Sequence, residues 1–312
     1  MSSTAPAKPR ISLVIATFNG GSRIGCTLDS LCHQKLAAEQ WEVVVVNNNS
    51  SDNTAEVVEG FATLHPELNV VLVEEPQQGL SHARNRGIDV AQGDYIAIID
   101  DDELASPELL EEYLHFFERV QGAAAAGGRI VPHYRSGRPA WMSRYTERPI
   151  AGTLDLGEEI VPFPKGKYFG GGNMALRRSA IVRYGKFNPE LGRRGTTLLG
   201  GEEKELYARL HSAGEQIFYL PRAAIEHIIP DEKLTRAYFE AVCFRIGQSE
   251  RIRTKASGGY AARWAMEVVK WCATLALAVG YTLCGKPSKG GYLVLMRKQI
   301  SRGLASGLVT TK

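Results

Sequence analysis

The chain has 312 residues, 44% apolar and 23% charged, the composition of a globular protein long enough to bury a large core without disulfide or metal staples. Five cysteines (Cys26, Cys32, Cys243, Cys272, Cys284) are an odd number with no C-x-x-C pair, which excludes a disulfide framework or zinc ribbon and suits a reducing compartment. The net charge of +3 conceals a split: from Val268 onward there are seven basic residues and no acidic one, whereas the first 267 residues carry 30 basic and 34 acidic side chains.

The opening MSSTAPAKPR lacks the apolar run of a secretory signal and reads as a short disordered lead, residues 1–10. Ile11 to Ala16 is a first strand, followed by a turn at Asn19-Gly20-Gly21 and a helix with Ile24, Leu28, Leu31 and Leu36 at near-helical spacing. Four consecutive valines, Val43 to Val46, mark a strand buried on both faces, as in parallel sheets. A helix from about Thr54 to Leu64, a strand at Val70 to Val73, a helix near His82 to Val90 and a strand at Tyr95 to Ile99 follow. Ser106-Pro107 reads as an N-cap and first helical position for a helix through Val120. This alternation predicts an α/β fold, a doubly wound sheet flanked by helices. Between about Ala123 and Lys167 a strand at Ala123 to Ile130 gives way to expected loops. Order returns with GGGNMALRRS (170–179), a helix near Glu202 to Ser212, a strand at Gln216 to Leu220 and helix over 231–255.

Beyond it, Trp271 to Cys284 is a 14-residue uncharged run, short of the roughly 20 residues needed to span a bilayer. Leu293, Met296, Ile300, Leu304 and Leu308 fall on one helical face beside Arg297, Lys298 and Arg302. That pattern fits a helix lying in the interface of an anionic membrane, or else one packed on the domain's own core. The expected division is therefore a lead (1–10), an α/β domain (11–230) and an apolar, basic helical extension (231–312) that associates with membranes.

Asp100-Asp101-Asp102-Glu103 directly follows a predicted strand, and in parallel sheets ligands bind beyond the carboxyl ends of the strands. Carboxylates so crowded repel one another, and a divalent cation relieves this; hard oxygens select Mg²⁺ or Mn²⁺, which can bridge a diphosphate. The alternative is an acidic helix N-terminus that complements the helix dipole. At a second strand end, Asn47, Asn48 and Ser50 can read a base or ribose, while Asp52 either joins them or caps the next helix. Thr17, Phe18 and Asn19 occupy a third, so three polar strand ends describe one cleft. Gly20, Gly21 and Gly25 do not form G-x-G-x-x-G, and Cys26 stands where a phosphate-binding loop needs lysine.

With VIATFNG, VVVVNNNSSDNT, GLSHARNRGI, GDYIAIIDDDE, GGGNMALRRS, GGEEKEL and YLPRAAIEH in this order, the chain resembles the family-2 inverting glycosyltransferases of GT-A fold over about Ile11 to Pro230. The resemblance implies a mixed GT-A sheet, a nucleoside-diphosphate-sugar donor and metal-dependent transfer of one sugar. It places Thr17, Asn19, Asn48 and Arg84 at the nucleotide, and Asp100 to Asp102 at the DXD element. There Asp100 and Asp101 face the donor, while Asp102, Asp100 and the late His227 hold Mg²⁺ or Mn²⁺; a satisfied strand-end histidine is the alternative for His227. Gly171, Gly172 and Asn173 match the loop lining the sugar pocket, and Glu203 the catalytic base, with Glu202 beside the acceptor. Two departures stand out: Asn47 where the family commonly has Asp, and Glu202-Glu203 for the usual Glu-Asp pair. Resemblance and tail charge together imply a polyprenyl-linked glycan acceptor, as in exopolysaccharide or envelope-glycan assembly. They also imply attachment to an anionic membrane surface at the inner face of the plasma membrane, and no nucleic-acid partner. A processive polysaccharide synthase is a rival, but Tyr260 replaces the Gln of its Q-x-x-R-W motif ahead of Arg263-Trp264, and no multi-span region is present. A carbohydrate- or nucleotide-binding module without catalysis is the other.

Overall fold

Strand β1 (Ile11–Thr17) and strand β2 (Trp41–Asn47) are buried at every position, as the apolar and valine runs require of strands covered on both faces. The one charge within them, Glu42, is satisfied inside: its carboxylate accepts from Ser12 Oγ and from the Gln92 N–H, both at 2.6 Å. The computed structural model describes residues 8–164, 168–195 and 200–306. Most of the expected lead, residues 1–7, lies outside them; Arg10 is already tied in, its N–H donating to the Gln40 carbonyl at 2.7 Å.

Helix α1 (Ile24–Leu31), α2 (Thr54–Leu64), β3 (Val70–Glu74), α3 (Leu80–Val90), β4 (Tyr95–Asp100), β5 (Glu103–Ala105), α4 (Leu109–Arg119) and β6 (Ala123–Tyr134) follow in order. Then come α5 (Arg144–Ala151), β7 (Val161–Pro162), β8 (Asn173–Arg177), α6 (Arg178–Tyr184), α7 (Glu202–Ser212), β9 (Gln216–Ile229), α8 (Arg236–Ala256), α9 (Tyr260–Leu283) and α10 (Pro287–Ala305). The sheet runs β3-β2-β1-β4-β8-β6-β9-β5, with β7 on β9. Its β3, β2, β1 and β4 are mutually parallel, whereas β8 runs antiparallel to both β4 and β6, and β5 and β7 antiparallel to β9. The result is a mixed α/β sheet with flanking helices.

Several expected boundaries move. Helix α1 stops at Leu31, so Leu36 is not on it. Helix α4 opens after Glu108, not Ser106, because the Ser106 N–H donates to Ala224 and its carbonyl accepts from Leu109 and Gln34. The expected loops after Ile130 contain helix α5, started by a Ser143–Thr146 capping box and ended by Gly152 in the left-handed region (φ 63°). Thr in place of the usual Glu or Gln, and Pro149 inside the helix, hide it from the sequence.

The described residues form two compact units, one within 8–132, 153–195 and 202–228, the other within 133–152, 200–201 and 229–306. The first holds the main core. The second gathers Met142 and Ile150 with Phe239, Val242 and Cys243 of α8 and Leu293, Met296 and Ile300 of α10, with Trp141 stacked on Tyr292 at 4.1 Å. Thus residues 133–152 join the C-terminal helices, against the expected boundary at 230. Helices α8 and α10 meet at glycines: a Cβ on Gly247 would lie 2.1 Å from the Ile300 carbonyl, and one on Gly303 2.0 Å from that of Phe244. Leu293, Met296, Ile300 and Leu304 are at most 8% exposed. Of the two sequence readings of this face, the membrane interface gives way to packing on the protein's own core: α8 and α5 cover it, and apolar periodicity cannot tell a lipid partner from a protein one. Leu308 lies outside the described residues.

Candidate active site

Parallel register sets Thr17 beside Asn47 and Ala16 beside Asp100, so the polar ends of β1, β2 and β4 are adjacent as the sequence predicts. Most of their side chains, however, are joints of the fold. Thr17 Oγ1 donates to Asp101 Oδ2 at 2.5 Å. Asn19, with φ 48°, accepts from the Ser51 N–H at 2.8 Å. Asn48 bridges its turn to the segment before α3, donating to the Glu75 and Gln77 carbonyls and accepting from the Gly79 N–H at 2.7 Å. Asn47 donates to Glu74 at 2.9 Å. Asp52 accepts from the Gly21 N–H at 3.0 Å and the Thr54 N–H at 3.1 Å, an Asx turn leading into α2 that stops short of a helix cap.

Of the acidic run, Asp101 points inward, clamped by Arg23 Nε at 2.9 Å and Nη2 at 2.8 Å. Burial and the neighbouring Asp102 push its pKa up against the pull of Arg23. Nothing in the sequence pattern singles out Arg23. Glu103 is also inward, accepting from the Asp100 N–H at 2.8 Å, and burial plus Asp100 and Asp102 hold its pKa well above the usual carboxylate range. Asp100 and Asp102 are left on the more open side. The pairing of β5 with β9 brings Asp102 Oδ2 to 3.5 Å from His227 Nε2.

The densest knot forms around Arg84 of α3, 1% exposed. Its guanidinium reaches Asp100 at 2.8 Å, Glu202 at 3.0 Å and Glu203 at 3.3 Å. Burial alone would lower its pKa, but the three carboxylates reverse that and raise it. Arg84, expected at the nucleotide, is here enclosed and paired with acidic groups of the protein itself. Of the three carboxylates Glu202 is the most enclosed, and burial and the adjacent Glu203 push it up to about 8. The Glu203 side chain is the more accessible of the pair, 14% against 2%.

Glycines close this knot. A Cβ on Gly171 would lie 2.1 Å from Glu203 Oε1 and 2.5 Å from Arg84, and one on Gly172 1.9 Å from Glu103. Their missing side chains admit carboxylates of the protein itself. Asn173 is fully buried, accepting from Tyr113 at 2.6 Å and donating to the Arg129 and Ala223 carbonyls, so its side chain is inside the fold and not in a pocket wall.

Among the described residues no three His, Cys, Asp or Glu side chains converge as a closed metal cage requires. Asp102 with His227 fits the other arrangement, in which Mg²⁺ or Mn²⁺ takes one or two protein ligands and completes its shell with phosphates and water. Asp100, expected as a third ligand, has one oxygen committed to Arg84.

The description "Glycosyl transferase family 2" matches residues 12–185, more than half the chain, and the chain belongs to this family. The chain is 29% identical over 280 residues to the succinoglycan biosynthesis protein ExoM of Rhizobium meliloti, covering 86% of this chain and 83% of that one. To the glucosyl-dolichyl phosphate glucuronosyltransferase of Haloferax volcanii it is 25% identical, covering 78% and 77%. The mannosyltransferase PcManGT of Pyrobaculum calidifontis, solved with GDP-Man and Mn²⁺, shares the fold with TM-score 0.59 at 19% identity over 96% of this chain and 90% of that one. The protein is a glycosyltransferase of polysaccharide or glycan biosynthesis.

Proposed function

We propose that this enzyme transfers one sugar, with inversion, from a nucleoside-diphosphate-sugar to a polyprenyl-linked glycan acceptor, using Mg²⁺ or Mn²⁺ at the cytoplasmic face of the plasma membrane. The observation that supports this reading is the Arg84 knot, in which one guanidinium pairs with Asp100 of the strand end and with Glu203 beside Gly171. Glu203 is the base: Arg84 at 3.3 Å restrains its carboxylate while part of it remains accessible to an acceptor hydroxyl. It takes that proton as the hydroxyl oxygen bonds to the anomeric carbon and the bond to the diphosphate breaks on the opposite face. Glu202, more enclosed and inclined to stay protonated, supports Glu203 through the Arg84 they share. Asp102 and His227 would hold the metal, which when bound supplies positive charge against the departing diphosphate. The ligands of PcManGT support the donor and metal classes, and the name of the Haloferax relative supports a lipid-phosphate acceptor.

A panel of UDP-, GDP- and dTDP-sugars, each with and without Mn²⁺, tests this by thermal shift and by release of nucleoside diphosphate on adding acceptor. Stabilisation follows RT ln(1 + [L]/Kd), so Asp102→Ala should remove the metal-dependent shift together with turnover. Full turnover in EDTA, an unchanged shift in the variant, or a product with retained configuration would overturn the corresponding part.

A further inference from the structure

Helix α9 is built inside out. Its stripe toward α10 is polar: Glu267, fully buried, accepts from Arg263 at 2.7 Å, from Arg297 at 3.2 Å and from Ser301 at 2.9 Å. Trp271 Nε1 donates to Ser301 at 3.0 Å on the same side. The remaining circumference is apolar and not covered by the described residues: Met266, Val268, Val269, Leu275, Val279 and Leu283 are each more than half exposed. Between Ala265 and Leu283 the exposed charges come down to Lys270 alone. In water a helix turns its polar face outward; charge inside and apolar side chains outside is the arrangement that hydrocarbon demands.

We propose that α9 lies in the plane of an anionic bilayer, with its Met266–Leu283 face sunk into the acyl boundary. This deepens and rests on the membrane-linked reading above, naming the helix and the lipid-facing residues. At about 1.5 Å per residue the 24-residue helix is long enough to cross the roughly 30 Å hydrocarbon layer. Its bonding argues for the in-plane pose. The Glu267 pairs and Trp271 fasten it to α10, which exposes Lys298 and Arg302 and is itself fastened to α8 at Gly303, so a crossing would drag these charges through the bilayer or leave Glu267 unpaired. Charge selects the lipid: over residues 260–306 the only acidic residue is Glu267, buried and paired, whereas Lys286, Lys298 and Arg302 are exposed. Lys270 reaches headgroups by extending its stem along the interface.

Flotation of the full chain with phosphatidylcholine vesicles, with and without phosphatidylglycerol, is the first test, and binding should be strong only with the anionic lipid. Leu275→Asp and Val279→Asp should each weaken partitioning about tenfold while leaving the melting temperature and donor turnover unchanged. Wild-type protein that stays unbound on anionic vesicles, or variants that float as well as wild type, would overturn the proposal. So would apolar-face variants that instead convert a dimer to a monomer in light scattering, since a second copy would then cover the face. A milder probe uses natural cysteines: with Cys26 and Cys32 replaced by Ser, the exposed Cys272 and Cys284 carry a polarity-sensitive label. In the plane, both labels are quenched at one shallow depth by spin-labelled lipids; a difference near 18 Å would mean a crossing helix and defeat the proposed pose. Donor turnover assayed without vesicles reports on the sugar-transfer reading separately, so failure of one does not imitate failure of the other.

Discussion

A single guanidinium decides how the acidic residues of this site divide their work. Arg84 is shared by Asp100, Glu202 and Glu203, and the carboxylate it can least accommodate in the charged form is the most enclosed, Glu202. Glu203→Gln keeps size and most hydrogen bonding but cannot take a proton, so turnover should fall about 10²–10⁴-fold with donor binding kept, read by steady-state rates beside donor thermal shifts. Glu203→Asp, the usual family residue, should retain substantial activity. Near-normal turnover in Glu203→Gln with complete loss in Glu202→Gln would exchange the two roles. Arg84→Ala leaves the buried Glu202 carboxyl without its hydrogen-bond partner and should cost about 1–3 kcal/mol, measured by urea unfolding, with turnover lost as well. The carboxylates were legible as motifs; the enclosure of Arg84 was not, because its partner Glu202 is 118 residues away and burial is a property of the packed chain.

Helices α9 and α10 show how a correct pattern acquires the wrong partner. The spacing of Leu293, Met296, Ile300 and Leu304 does produce an apolar face, but Phe239, Val242 and Cys243 of α8 cover it. Leu304→Ala, at a fully buried position, should therefore cost about 2–5 kcal/mol in chemical denaturation. Gly247→Leu should destabilise more severely than a surface change, since even a Cβ there meets a carbonyl at 2.1 Å; an unshifted unfolding midpoint would refute the tight α8–α10 contact. Helix α9, whose uncharged run looked short, is 24 residues long because Arg263, Glu267 and Lys270 continue it toward the N-terminus, two of them paired inside. Charge counting along a sequence penalises such residues, whereas the structure satisfies them.

For the molecule as a whole, buried carboxyls act on the response to pH in both directions: against its burial, Arg263 and Arg297 hold Glu267 below its ordinary pKa, whereas three others are raised. Asp101, Glu103 and Glu202 all have folded-state pKa values above their ordinary ones, so the folded chain retains protons that the unfolded chain releases. Their contribution is fully present below the ordinary carboxylate range and is lost as pH rises, for Glu202 through about 8. Melting temperatures of wild type and Glu202→Gln compared from pH 5 to pH 9 should shift in favour of the variant as pH increases; a constant difference would mean that Glu202 ionises normally. The sequence by itself determined the alternation of buried strands and helices, the polar strand ends and the order of the family motifs. These are local properties: hydrophobic period and turn chemistry act over a few residues, and motif order is preserved along the chain. Only the tertiary structure decided that Asn48, Asp101 and Asn173 are joints of the fold, that residues 133–152 belong with the C-terminal helices, and that α9 bears the uncovered apolar face. Each of these depends on which distant surface excludes water from a given side chain, and no window of sequence contains both partners.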